Sequence, residues 1–142
     1  MKSNNKGFSL LELLIVVAII LIIATIAIPS LLRSRQAANE SGAVADLRTI
    51  NTAEVTYLSS AQGNFGTISQ LIGAGLLDSR FNGTVGGYNF GITASGANYT
   101  ATADPASSNT GRYGYYTVPD GVVRWSTNAS EAPANNAGNP VQ

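Results

Sequence analysis

Residues 8–28, Phe8-Ser9-Leu10-Leu11-Glu12-Leu13-Leu14-Ile15-Val16-Val17-Ala18-Ile19-Ile20-Leu21-Ile22-Ile23-Ala24-Thr25-Ile26-Ala27-Ile28, form a run of twenty-one in which only Ser9, Glu12 and Thr25 are polar. As a helix the run spans about 31 Å, the depth of one bilayer core. Its fifteen Leu, Ile, Val and Phe residues each favour insertion by roughly 0.3–0.6 kcal/mol and together outweigh one carboxylate that opposes it by roughly 3 kcal/mol. Ahead of it lies Met1-Lys2-Ser3-Asn4-Asn5-Lys6-Gly7, with the only two lysines of the chain. These favour an N-terminus held in the cytoplasm, while Arg33 and Arg35 beyond the run weigh the other way. A secretory signal would have a shorter apolar stretch without an acid, and a plain anchor gives Glu12 no purpose. An ionisable side chain at membrane depth is by default a functional residue.

Working outward, the 142-residue chain suits one domain, and its charged residues make up only 11% against about 25% in ordinary soluble proteins. Without Cys or His it has no disulfide, thiolate nucleophile, His-centred triad or zinc, haem or iron–sulfur site built from those ligands. No enzyme activity and no cofactor are expected. The arginines are dispersed, so no basic patch for nucleic acid is expected on the subunit.

Beyond Pro29, which withholds a backbone donor and predicts a kink or a locally melted turn, the pattern is again helical. Ala43, Leu47, Ile50, Ala53 and Tyr57 recur at spacings of three and four and make one apolar stripe, with Glu40, Asp46, Arg48 and Glu54 assigned to the other faces. Gly63 and Asn64 then end the helix, and residues 67–77 read as a short helix or turn. From Gly86 the period changes to two, and strands are expected around Tyr88, Phe90 and Ile92, at 98–103, at 112–118 and at 122–127. Pro119-Asp120-Gly121 is a turn signal between the last two. The fold class is α+β: a long N-terminal helix whose second half packs under an antiparallel sheet of about four strands. Tyr88, Phe90, Tyr99, Tyr115 and Trp125 are expected in the core or at the sheet edge. The organisation is thus 1–7 leader, 8–28 apolar helix, 29–58 amphipathic helix, 59–127 loop and sheet, and 128–142 polar tail.

Lys6-Gly7-Phe8-Ser9-Leu10-Leu11-Glu12-Leu13-Leu14-Ile15-Val16-Val17 resembles the prepilin-type N-terminus of type IV pilins and type II secretion pseudopilins. The resemblance implies cleavage between Gly7 and Phe8 by prepilin peptidase, methylation of the new Phe8 amine, and Glu12 as the assembly carboxylate. It also implies passage through the lipid bilayer of the bacterial inner membrane, an assembly platform and ATPase as partners, and polymerisation into a homo-oligomeric helical filament, a pilus or a periplasmic pseudopilus. The residues fit that chemistry. Gly7 lets the scissile peptide extend into a narrow cleft. The new amine would stand about one helical turn from Glu12, where either its own carboxylate or that of a displaced neighbour could neutralise it, and the second arrangement specifies axial register. Cleavage would leave six Arg against eight Asp and Glu, a side-chain charge of 6 − 8 = −2.

Some major pseudopilins bind calcium near the C-terminus. Here Asp104, Asp120 and Glu131 are widely spaced, no dense ligand loop is visible, and no metal is expected. Three functions stay open: a pilus subunit, favoured for its neutral, compact sheet domain; a pseudopilin, compatible with the lack of Cys; and a membrane-anchored binding module.

Overall fold

Helix α1, Leu10–Ser60, begins where Ser9 can cap it and ends where the chain turns left-handed. At the start, the Leu11 amide donates to Ser9 Oγ at 3.3 Å and the Ser9 amide donates to the Glu12 carboxylate at 2.9 Å. At the end, Gln62 and Gly63 take positive φ (54° and 83°), and the Gly63 amide closes on the Leu58 carbonyl. The structure, a computed structural model, describes residues 7–126 and 137–141. The chain divides into two units, Met1–Ser34 and Arg35–Gln142.

In the first unit every large apolar side chain from Phe8 to Leu32 is exposed, from 38% at Leu32 to 84% at Phe8. A helix whose large apolar side chains are exposed all round suits a lipid or protein environment. The one polar residue in the middle of the run, Thr25, returns its hydroxyl to the Leu21 carbonyl at 2.8 Å, so it presents no unpaired donor. Helix α1 carries Pro29 inside it, so the chain does not stop there as at the end of an ordinary anchor.

In the second unit α1 buries Gln36, Glu40, Ala43, Val44, Leu47, Ile50, Ala53 and Glu54, and Tyr57 packs half-buried at the end of the stripe. The expected apolar face is therefore the core face. Glu40 and Glu54 are corrected: both lie on that face, because positions 40, 43, 47, 50 and 54 share one side of a 3.6-residue helix whatever their charge. Helix α2, Ile68–Gly73, follows with Thr67 and Gln70 capping each other reciprocally, then a 3-10 turn, Ser79–Asn82, started by Asp78.

The sheet has six strands in sequential antiparallel order: β1 Thr84–Val85, β2 Tyr88–Ser95, β3 Asn98–Pro105, β4 Tyr115–Thr117, β5 Arg124–Trp125 and β6 Asn139–Pro140. Gly86 and Gly87, both at positive φ, make the two-residue turn into β2. The β2–β3 ladder pairs Tyr88 with Pro105 through to Ser95 with Asn98, so Tyr88, Phe90, Ile92 and Ala94 share one face with Tyr99, Ala101 and Ala103. That face meets the α1 stripe, with Tyr88, Tyr99 and Tyr115 buried and Phe90 and Trp125 packed half-buried against them. After β4, the Gly121 amide bonds the Val118 carbonyl across Pro119-Asp120, with Gly121 at φ 73°.

Four strands match the expected four, with β1 and β6 additional. The segment 112–118 is strand only from Tyr115, because the Arg112 amide is taken by Glu40. Residues 127–136, which hold Glu131 and most of the expected tail, lie outside the described residues. The end of that segment is corrected: Asn139 and Pro140 pair with Trp125 and Arg124, and Val141 packs on the core. Val141, next in sequence, donates its amide to the Val123 carbonyl at 2.8 Å and so ties this end of the chain beside β5.

Candidate functional site

Two groups of residues carry the functional geometry, one in each unit. In the first, Gly7 has open space where a side chain would stand, and Phe8 is 84% exposed. Glu12 is exposed and engaged with the Ser9 amide, and it is the one charged residue of the run from Phe8 to Ile28. Ser9-Leu10-Leu11-Glu12 has the Ser-x-x-Glu spacing of a capping box, a signal that sequence reasoning passed over. The carboxylate thus satisfies one orphan amide of α1 and places negative charge at the positive end of the helix.

In the second unit, polar side chains of α1 reach the backbone of three loops. Gln36 Nε2 donates to the Ser108 carbonyl and Asn39 Nδ2 to the Thr110 carbonyl, both at 2.8 Å. Glu40 accepts from the Arg112 amide at 2.9 Å, from Nε at 3.0 Å and from Nη2 at 2.8 Å. These three α1 residues fix the β3–β4 loop. Asn51 donates to Thr117 Oγ1 and the Gly121 carbonyl, and accepts from the Tyr99 hydroxyl at 2.6 Å, fixing the turn after β4. Glu54, fully buried, accepts from the Gly66 amide at 2.9 Å and fixes the loop after α1. Its second oxygen has no protein partner among the described residues, and burial holds its carboxyl above the ordinary range against the opposing pull of the Gly66 amide. Each connection between loop and helix pairs a buried or half-buried polar side chain of α1 with loop backbone that supplies its partner.

The acidic residues weighed for calcium do not form a ligand cluster. Among the described residues no three carboxylates gather to hold a metal. Asp120 binds Arg124 through both oxygens, at 2.6 and 3.2 Å, and also accepts the Val122 amide. The Arg124 bonds hold its carboxyl below the ordinary value. Asp104 lies on β3, in register with Asn89. Glu131 lies outside the described residues. A third ion pair, Arg80 to Asp46 at 2.9 Å, ties the 3-10 turn to α1.

An apolar helix long enough to cross a membrane, opening on Gly-Phe with an acid at its first turn and joined in sequence to a sheet domain, is the arrangement of a subunit of the prepilin type. Residues 2–28 match the family described as the prokaryotic N-terminal methylation motif. The chain is 37% identical over 95 residues to the type IV wide pilus major component PilA4 of Thermus thermophilus, covering 67% of this chain and 69% of that protein. It is 43% identical over 56 residues to the type IV major pilin PilA of Myxococcus xanthus, covering 39% of this chain but only 26% of that relative. The chain belongs to the type IV pilin family, with the α+β fold of that family. No solved structure matches it.

Proposed function

We propose that the chain is made as a single-pass inner-membrane precursor with a cytoplasmic N-terminus, is cut between Gly7 and Phe8 by prepilin peptidase, and polymerises through α1 into an extracellular pilus. The observation that carries this reading is the exposure of every large apolar side chain from Phe8 to Leu32 on a helix headed by the methylation motif. Before assembly that surface suits lipid, and after assembly it suits copies of itself. Phe8 would carry the methylated amine and Glu12 would receive it, within one chain or from a neighbour. Pro29, lacking a backbone donor, is the proposed point of flexure in α1. Assembly would need a membrane platform and an ATPase. Both named relatives are pilus components, which favours a pilus over a type II secretion pseudopilus.

Mass spectrometry of the protein from membranes and from sheared filaments tests the reading. A mature chain beginning at methylated Phe8 in both fractions is expected. An uncut Met1, or a chain beginning at Ile28, would overturn it, and periplasm-confined filaments with cleavage intact would favour the pseudopilin alternative.

A further inference from the structure

The second unit holds an open cavity of about 450 Å³ between one face of α1 and the β4–β6 end of the sheet. That volume lies within the range of small-molecule sites, about 300–1,000 Å³. Tyr113 and Trp125 form one wall, their rings 4.7 Å apart and tilted by 53°, both only half-buried. Arg48 stands on the opposite, helical side and is exposed. Glu40 lines the cavity too, but Arg112 occupies both of its oxygens, so its charge is already matched.

The charges decide what the cavity would take. Arg80, Arg112 and Arg124 each hold a carboxylate, whereas Arg48 has no acidic partner among the described residues. A free guanidinium offers a rigid fork of donors suited to a carboxylate. The Arg112 guanidinium stands over the Tyr113 ring, 5.1 Å from its centroid, so the flat apolar face that remains partly wet is chiefly that of Trp125. A ligand that fits both requirements carries a carboxylate and a flat apolar face on the same ring. We infer that this cavity binds a uronic-acid residue of an acidic polysaccharide, with the carboxylate on Arg48 and the sugar ring against Trp125, flanked by Tyr113. A neutral sugar would leave Arg48 unused, and an acidic peptide would leave the aromatic wall uncovered. The inference does not depend on processing or polymerisation, although repetition along a filament would multiply a weak single site into useful avidity.

Trp125 is the only tryptophan of the chain and lines this cavity, so its fluorescence responds to a ligand there. The test titrates the full chain in detergent with tetragalacturonate, with the same tetrasaccharide reduced at its carboxyls, and with tetraglutamate. A saturable change with tetragalacturonate only is expected. Arg48→Gln should weaken it by about tenfold or more, with Arg48→Lys between the two because it keeps charge but loses the fork. Arg48 is exposed, so both variants should keep the unliganded emission spectrum, which checks folding. An equal response to the reduced sugar, or no response to any of the three, overturns the inference. So does a tetraglutamate response that Arg48→Gln abolishes, which would make the cavity a peptide site. A change on raising protein concentration alone would assign it to a second copy of the chain and also overturn the inference.

Discussion

Breaking the Glu40–Arg112 pair from its two sides should have unequal costs. The Glu40 side chain is 9% exposed and that of Arg112 is 49% exposed. In Glu40→Ala the guanidinium turns to water, and the main loss is the Arg112 amide, left without its acceptor, at about 1–3 kcal/mol. We set the expected cost at about 2 kcal/mol. In Arg112→Ala the carboxylate stays under the loop with one backbone amide and no counter-charge. That places the cost near the lower end of the roughly 3–5 kcal/mol found when a buried pair loses one partner. Glu40→Gln keeps an acceptor for the amide and should lose only about 1 kcal/mol. Because the residues touch, the double alanine variant should cost less than the sum of the singles, by about 1–2 kcal/mol. Urea unfolding of a fragment beginning at Ser34, followed by Trp125 fluorescence, measures all four values. A Glu40→Ala cost above that of Arg112→Ala, or a coupling near zero, would refute the asymmetry of burial on which this rests.

The fragment itself should be soluble and monomeric, since the large exposed apolar side chains of the described residues lie mostly in the first unit; dimers in sedimentation would place assembly contacts on the sheet domain. Glu54 provides a pH test. Its folded pKa is raised above the ordinary 4.5, so stability is fullest below that value and falls as pH rises toward the folded pKa. Glu54→Gln should remove that slope and leave the protein relatively more stable at neutral pH, and an unchanged difference from wild type across the titration would show that the carboxyl does not titrate on its own. Glu12→Val should leave insertion and Gly7 cleavage intact but sharply reduce filaments counted by electron microscopy; filaments of normal number and length would remove Glu12 from assembly.

Much of the fold was legible because two periods dominate the sequence. The spacing of Ala43, Leu47, Ile50 and Ala53 selected the buried face of α1, and the alternation around Tyr88, Phe90 and Ile92 selected the buried face of β2. The misreadings have a common physical origin. Glu40 and Glu54 sit in the stripe by spacing, but their charge assigned them to solvent. What buries them is hydrogen bonding to Arg112 and Gly66, 72 and 12 residues away, which local periodicity does not contain. A charged residue in register with an apolar stripe is itself the available signal, because it implies a partner elsewhere in the chain. β6 was illegible for a different reason: two residues of pairing carry too little pattern to stand out from a polar segment. Of the candidate site, Gly7, Phe8 and Glu12 are proposed from the motif, whereas the capping bond of Glu12 was present in the Ser9-x-x-Glu12 spacing and overlooked.

That bond bears on the proposed assembly chemistry. In the uncut chain Glu12 already has a donor, the Ser9 amide, one residue from the peptide bond that would be cleaved. Cleavage would therefore not rescue an orphaned carboxylate. It would add a cationic amine next to a carboxylate that is already partly satisfied. Before assembly the intrachain arrangement can serve both charges, which lets the subunit rest in lipid without a partner. In a filament, the amine of a neighbour must compete with the amide and amine of the same chain. A charge-assisted bond is roughly twice as strong as a neutral one, so the amine displaces the amide readily, but the own-chain and neighbouring amines are chemically equal. Their choice must then be made by the fit of the apolar side chains from Phe8 to Leu32. On this argument Glu12 selects among registers that the apolar packing already permits, and the packing supplies most of the association energy.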